Sequence, residues 1–174
     1  LNSPETPIYH KSKILYGFFQ AKNFIKNAKE AMLVEGYMDL IMSHQAGVSI
    51  AVATSGTALT PKHLRILKPF IERLSLCFDM DLAGQEAAKR AYALAQEIDV
   101  TEKVVTLPEG KDPADYAKAH GEELQKVVEG GAIYTDYFYA KLLRDYGTTG
   151  MQAKKKILQE FLPFFAGLPS SVEK

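Results

Sequence analysis

The chain has a single cysteine, no net charge and no long apolar run, and each shortage removes a class of protein. Cys77 has no second thiol for an internal disulfide. Set inside the apolar run "RLSLCF" it reads as a small core residue, which suits a reducing compartment. No apolar stretch approaches the ~18 residues a membrane span needs, and "LNSPETPIYHKSK" lacks the charged-then-apolar build of a signal peptide. We therefore expect a soluble, cytosolic protein. Lys plus Arg equal Asp plus Glu at 21 each, so net charge is silent about a nucleic-acid partner. Between Leu1 and Lys29, however, Lys11, Lys13, Lys22, Lys26 and Lys29 stand against Glu5 alone, a run read first as a solvated helix face. There is neither an internal repeat nor a low-complexity segment, and the opening on Leu1 rather than Met reads as an excised fragment.

At 174 residues, 47% of them apolar, the chain suits one ordinary domain with a small appendage. Ile14, Leu15, Phe18, Phe19, Ala21, Phe24, Ile25 and Ala28 recur at helical spacing over Lys13 to Lys29. "AMLV" (Ala31 to Val34) is a strand-length apolar run closed by Glu35-Gly36, and "YMDLIMSHQAG" is a helix stopped by Gly47. "SIAVAT" (Ser49 to Thr54) is a second buried strand, after which Thr60 and Pro61 have the chemistry of an N-cap and a first helical residue. "RLSLCF" makes a third strand followed by a helix from Gly84 to Ile98, and "KVVTL" (Lys103 to Leu107) a fourth. Strands alternating with helices through short connections argue for an α/β fold with a mainly parallel four-stranded sheet flanked by helices. Beyond Asp115 the pattern becomes helical stretches separated by glycines, with no strand candidate. The expected division is a lead-in segment and helix at 1–30, the α/β domain at 31–120 and a small helical subdomain at 121–174.

Ligands of parallel α/β sheets bind at the carboxyl ends of the strands. Glu35 follows strand one, Asp79 and Asp81 follow strand three, and Asp112 follows strand four; Asp39 lies one helical turn beyond Glu35. Gathering these carboxylates is unfavourable unless a cation sits among them, and oxygen-only ligands suit Mg²⁺ or Mn²⁺ rather than Zn²⁺. Taken singly each feature is weak. Asp-x-Asp after a strand is also ordinary turn chemistry, Gly36 is also a tight turn, and Ser55 to Thr57 read better as a cap than as a phosphate cradle. His44 and His63 lack partners at metal-ligand spacing and read as core or surface residues. Only the conjunction of acids points to metal.

The runs "VEGYMDLIMSHQAGV", "TSGTALT", "FDMDLAGQEAA" and "LPEGKDPADY", in this order and at these separations, resemble the catalytic core of bacterial replicative primases of the DnaG type. "LNSPETPIYHKSKILYG" is similar to the segment leading into their Toprim domain. The resemblance covers Leu1 to about Asp115 closely. Any one run is shared with the wider Toprim superfamily, whereas Glu-Gly-Tyr-Met-Asp together with Asn-Ser-Pro-Glu-Thr is far more specific to primase. It implies that Glu35, Asp79 and Asp81 are the catalytic, metal-binding acids, with Asp39 and Asp112 as further acids of the site. Lys11, Asn2 and Gly36 would then face nucleotide or DNA. Met80 replaces the usual glycine between the two aspartates, and Ala114 stands where some relatives carry an acid.

That resemblance implies template-directed synthesis of short RNA primers on single-stranded DNA from nucleoside triphosphates, with Mg²⁺ or Mn²⁺, at a bacterial replication fork. Proteins of this kind also carry an N-terminal zinc domain, an upstream basic half of the polymerase core and a C-terminal domain that binds the replicative helicase. One cysteine cannot build the zinc site, so zinc belongs to that other domain, and a monomeric fragment with weak or no activity of its own is expected. The rivals are a nuclease or topoisomerase fragment of the same superfamily and a non-catalytic Toprim scaffold. A topoisomerase needs a tyrosine nucleophile, and Tyr37, Tyr92 and Tyr116 lie in no context that marks one. A haloacid-dehalogenase-like phosphatase would place Thr two residues after the second Asp, where Ala83 stands.

Overall fold

The computed structural model describes residues 4–79, 82–108 and 112–167. Elements are ordered along the chain as α1 (Phe18–Ala28), β1 (Glu30–Val34), α2 (Tyr37–Gln45), β2 (Ala51–Ala53), α3 (Pro61–Leu67), β3 (Arg73–Leu76), α4 (Leu82–Gln96), β4 (Thr101–Val104), α5 (Pro113–His120), α6 (Glu123–Glu129), β5 (Ala132–Ile133), α7 (Tyr134–Tyr146) and α8 (Met151–Ala166). The chain forms two compact units, Leu1–Ala132 and Ile133–Lys174.

The sheet has the order β2-β1-β3-β4-β5, and β1 pairs in parallel with both β2 and β3, as β3 does with β4. A continuous apolar run buried on both faces is what a parallel strand covered by helices requires, and β1 is buried along its whole length. Registers Met32↔Ser75 and Ser75↔Lys103 fix which residues share a face. One face packs Met32, Val34, Cys77 and Val105 with Leu40, Tyr116, Leu124 and Val128, so α2, α5 and α6 cover it. Each fully buried aliphatic side chain of this kind is worth about 1.5–3 kcal/mol. The order places a switch between β1 and β3: the connection through α2 runs one way along the sheet and that through α4 the other, which with right-handed crossovers sends these helices to opposite faces.

Three details refine the sequence reading. The expected first helix begins at Phe18, because Gly17 takes a left-handed conformation (φ +78°) and a Cβ there would lie 2.4 Å from Leu40 Cδ1. Upstream, Lys11–Lys13 forms a single 3₁₀ turn and Tyr16 exchanges two backbone hydrogen bonds with Ala53, so the lead-in segment lies along β2. The stretch after Asp112 is two helices parted at Gly121, and a two-residue fifth strand, β5, extends the expected four. Two exposed residues carry no periodicity, which is why no strand was expected there. Thr60 is the N-cap of α3, with His63 N–H donating to its Oγ1 and Pro61 at the first position, as read from the sequence.

A polar network unforeseen in the sequence crosses the sheet near the start of its strands. The Glu30 carboxylate accepts from Arg73 Nε (2.8 Å) and Ser75 Oγ (2.6 Å), and Lys103 Nζ lies 3.5 Å away. Lys103 also donates to the Val128 and Glu129 carbonyls at the end of α6. Burial alone would push the Glu30 carboxyl up, but the Ser75 and Arg73 hydrogen bonds and the Lys103 and Arg73 charges hold it below the ordinary glutamate range. A carboxyl depressed in the folded state stabilises the fold above its unfolded pKa and loses that contribution as pH falls through its folded value. Glu30→Gln is therefore expected to destabilise by about 1–2 kcal/mol at pH 7 in urea unfolding, the gap closing below about pH 4; an equal gap at both pH values would refute the assignment.

Gly84, in the first turn of α4, makes the closest approach among the described glycines: a Cβ there would fall 1.9 Å from the Asp79 carbonyl oxygen. Helix propensity predicts that Gly84→Ala stabilises by about 1 kcal/mol. The contact with Asp79 predicts the reverse, a loss of about 1–3 kcal/mol with displaced backbone resonances at Asp79. A raised urea midpoint would show that this approach is not a constraint.

Candidate functional site

The carboxyl ends of β1 and β3 are adjacent, and Cys77 N–H continues the ladder to the Leu33 carbonyl (2.9 Å). Glu35 leaves β1 and Asp79 leaves β3 at this switch point, where the two chains diverge and open a crevice. Lys11, Glu35, Gly36, Tyr37, Asp39, Ser55 and Gly56 line a cleft of about 380 Å³ here. Of the residues singled out in the sequence, Lys11, Glu35, Gly36 and Asp39 thus share one cavity. Asn2 and Asp81 lie outside the described residues, as does Met80.

Asp39 is the hub of the acidic group. Its Oδ2 accepts from Gly36 N–H (2.9 Å), closing the first turn of α2, and its Oδ1 accepts from Ala114 N–H (3.3 Å) in the first turn of α5. One side chain thereby ties two helix N-termini, where orphan donors and a positive dipole favour a carboxylate. Ala114, where an acid was a family alternative, contributes only its backbone. Asp112 caps α5 through Asp115 N–H (2.7 Å). Burial pushes the Asp39 carboxyl above its ordinary range; the Gly36 and Ala114 hydrogen bonds oppose that, and the charges of Asp112 and Asp79 add to it. Cys77 lies close enough that, after burial, the charges of Asp39 and Asp79 also push its thiol up, so it is no nucleophile. Asp39, Asp79 and Asp112 therefore act on a common volume although they come from three segments.

The donor set is oxygen-only, and the charges of Asp79 and Asp112 add to the upward push that burial gives Asp39, an electrostatic condition a divalent cation relieves. Among the described residues no three acids stand close enough to cage an ion by themselves. Mg²⁺ typically takes one or two carboxylates and keeps the rest of its shell for water and phosphate oxygens, so it does not require such a cage. On the opposite wall, the Ser55 and Gly56 N–H groups both donate to the Glu35 carbonyl, which fixes the loop after β2 to the end of β1. Ser55 holds φ +59° there, a strained conformation for a residue with a side chain, of the kind found where a loop is shaped around a ligand.

His63, assigned from the sequence to core or surface, has a role the sequence does not announce. It is fully buried, and its Nε2 donates to the Lys11 carbonyl (2.9 Å) across 52 residues of chain, so it secures a cleft residue. The signal that could have found it is the Thr60-x-x-His63 spacing of a capping box, which explains a histidine at the third helical position but not its distant partner.

The comparisons agree with this geometry. A Toprim-like family model matches residues 32–117. The chain is 40% identical over 177 residues to the DNA primase of Halalkalibacterium halodurans, covering 100% of this chain and 29% of that protein. It is 34% identical over 176 residues to the DNA primase of Pseudomonas aeruginosa, covering 98% and 26%. Among solved structures, the RNA polymerase domain of Mycobacterium tuberculosis primase DnaG superimposes with a TM-score of 0.83 at 29% identity, over 99% of this chain and 56% of that one. A DnaG primase catalytic domain bound to single-stranded DNA matches with a TM-score of 0.79 at 28% identity, over 99% and 57%. The chain spans less than a third of the length of those two curated relatives. With a Toprim-like model matched over residues 32–117 and DNA primases matched over nearly the whole chain in sequence and fold, the chain belongs to the bacterial replicative DNA primases of the DnaG type and corresponds to the Toprim-bearing part of their catalytic core.

Proposed function

We propose that the chain forms the acidic half of a nucleotidyl-transfer centre that extends RNA primers on a single-stranded DNA template. What supports this reading is that Glu35 and Asp39 line one cleft with Lys11 at the β1/β3 switch point, with Asp79 and Asp112 near enough for their charges to act on Asp39. Mg²⁺ or Mn²⁺ held by Glu35, Asp79 and Asp81 would supply Lewis-acid stabilisation of the triphosphate and a lowered pKa for the attacking 3′-hydroxyl. Asp39 and Asp112, whose oxygens already serve backbone donors, are the outer acids: they orient α2 and α5 and add negative potential.

The chain's own groups divide the remaining work. The Lys11 ammonium neutralises the triphosphate, helped by Asn2, and the bare backbone of Gly36 admits a phosphate oxygen closely. Glu35 either accepts the 3′-hydroxyl proton or orients the attacking group as an ionised carboxylate. The displacement is in line at the α-phosphorus, forming a 3′–5′ phosphodiester and releasing pyrophosphate. Template grip comes from basic surface outside this acidic centre, and engagement of a replicative helicase belongs to a separate region of the longer protein. No helix among the described residues is long and apolar enough to cross a membrane, in keeping with work at a cytoplasmic replication fork.

Calorimetric titration with Mn²⁺ tests the acids: Asp79→Asn and Glu35→Gln are each expected to weaken binding about tenfold or more, equivalent to about 1.4 kcal/mol. Unchanged binding in both variants would remove the metal from this reading. The chain alone is expected to make little or no primer and to bind single-stranded DNA with an affinity that falls with salt, Lys11→Ala reducing the slope of log K against log salt by about 0.7. Vigorous primer synthesis by the purified chain, or a slope indifferent to Lys11, contradicts the division of labour described here.

A further inference from the structure

The acids of the cleft are fixed by the sheet, but Lys11 belongs to no strand or long helix, and something else must hold it. The 3₁₀ turn Lys11–Lys13 contains no buried residue. Two side chains from the start of α3 reach it: Thr60 Oγ1 donates to the Ser12 carbonyl (2.8 Å) and His63 Nε2 to the Lys11 carbonyl (2.9 Å). The same two residues close their own capping box, with His63 N–H donating to Thr60 Oγ1 (3.2 Å) and Thr60 N–H donating to His63 Nδ1 (3.3 Å). An imidazole that accepts at Nδ1 and donates at Nε2 is neutral and of defined tautomer. Burial also lowers its proton affinity, against the opposing bond to Lys11. His63 is fully buried and has both nitrogens engaged, so its ring orientation is fixed.

We infer that His63, with Thr60, is a positioning residue that clamps the Lys11 backbone and so sets where the Lys11 ammonium meets an anionic ligand in the cleft. This rests on the reading of the cleft as a triphosphate site. Asn and Gln replacements separate positioning from mere filling of the space. The amide nitrogen of Gln lies near the place of Nε2 and can restore the bond to the Lys11 carbonyl. Asn reaches only the place of Nδ1 and cannot restore it.

The test uses the whole chain with ATP and Mn²⁺ as probe. In His63→Asn, amide exchange at Lys13 and Ile14, whose N–H groups close the turn on the His10 and Lys11 carbonyls, is expected to accelerate, with core amides of β1 unchanged. Its ATP affinity is expected to fall about five- to tenfold, His63→Gln to stay within about twofold of the parent, and His63→Asn to add nothing in a Lys11→Ala background. Equal losses in the Gln and Asn variants, or a further loss without the Lys11 side chain, would overturn the inference, as would unchanged exchange in His63→Asn. Equal ATP binding by the parent and Lys11→Ala would instead sink the triphosphate reading, and the exchange data would then decide the clamp by themselves.

Discussion

The parallel pairing of β1 with β3 is the constraint on which the site depends. Because the two strands run side by side in the same direction, the residues directly after Val34 and Phe78 must emerge at one edge, and both of those residues, Glu35 and Asp79, are acidic. The next elements, α2 and α4, leave in opposite directions, so no helix can fill the gap between the strand ends. The acids cannot relax apart without breaking the ladder that buries Met32, Leu33, Val34, Leu74 and Leu76. Hydrophobic burial of several kcal/mol per strand therefore holds like charges together that would separate on their own. On the proposed reading, a site sustained by the core in this way would be assembled before a cation arrives.

Two carboxylates, the buried Glu30 at the start of β1 and the half-buried Asp39 on α2 beyond its end, have surroundings that differ in kind. Glu30 meets Arg73, Ser75 and Lys103 and is held ionised below its ordinary range. Among the described residues Asp39 accepts from the backbone N–H groups of Gly36 and Ala114, and it is raised, first by burial and then by the charges of Asp112 and Asp79. The first is a completed structural network that joins three strands to the end of α6. In the second, the donors among the described residues are backbone groups that carry no counter-charge. Local inconsistency of this kind is where function is expected.

The sequence made legible whatever depended on local pattern. Apolar runs announced β1, β2 and β3, Thr60-Pro61 announced the start of α3, and the strand-ending acids announced the edge at which a site would form. It concealed the features that depended on pairs far apart in the chain. Lys103 reads only as the start of a strand and Glu30 draws no notice, because a charged group at the end of a short apolar run is ordinary; only the register Glu30↔Arg73 and Ser75↔Lys103 makes them partners. Gly84 looked like a helix entry, and its reason lies in the backbone of Asp79. His63 had no nearby ligand partner because its partner is a carbonyl 52 residues upstream. The expected four strands became five for a related reason: two residues suffice for an edge strand when a ladder is already present, and two residues have no pattern.

The two signs of charge in the cleft are held by unlike means, and this governs how the site can respond. Glu35 and Asp79 are continuous with buried strands, so their backbones move only if the sheet does. Lys11 sits in a lead-in segment whose one buried side chain between residues 4 and 17 is Leu15, and in which Ile8 is 95% exposed. Its place is maintained by hydrogen bonds at Ala53, Thr60 and His63, each worth about 1 kcal/mol rather than the several of a buried strand. Local opening of such a segment requires far less free energy than unfolding of the core. An anion seated between Lys11 and the strand ends would bind the ordered arrangement in preference to the opened one, and so stabilise the lead-in segment by its differential affinity. On the proposed reading, the acidic wall would set the geometry of the chemistry, while the cationic wall, held by a few hydrogen bonds, would be the part that orders on a bound anion.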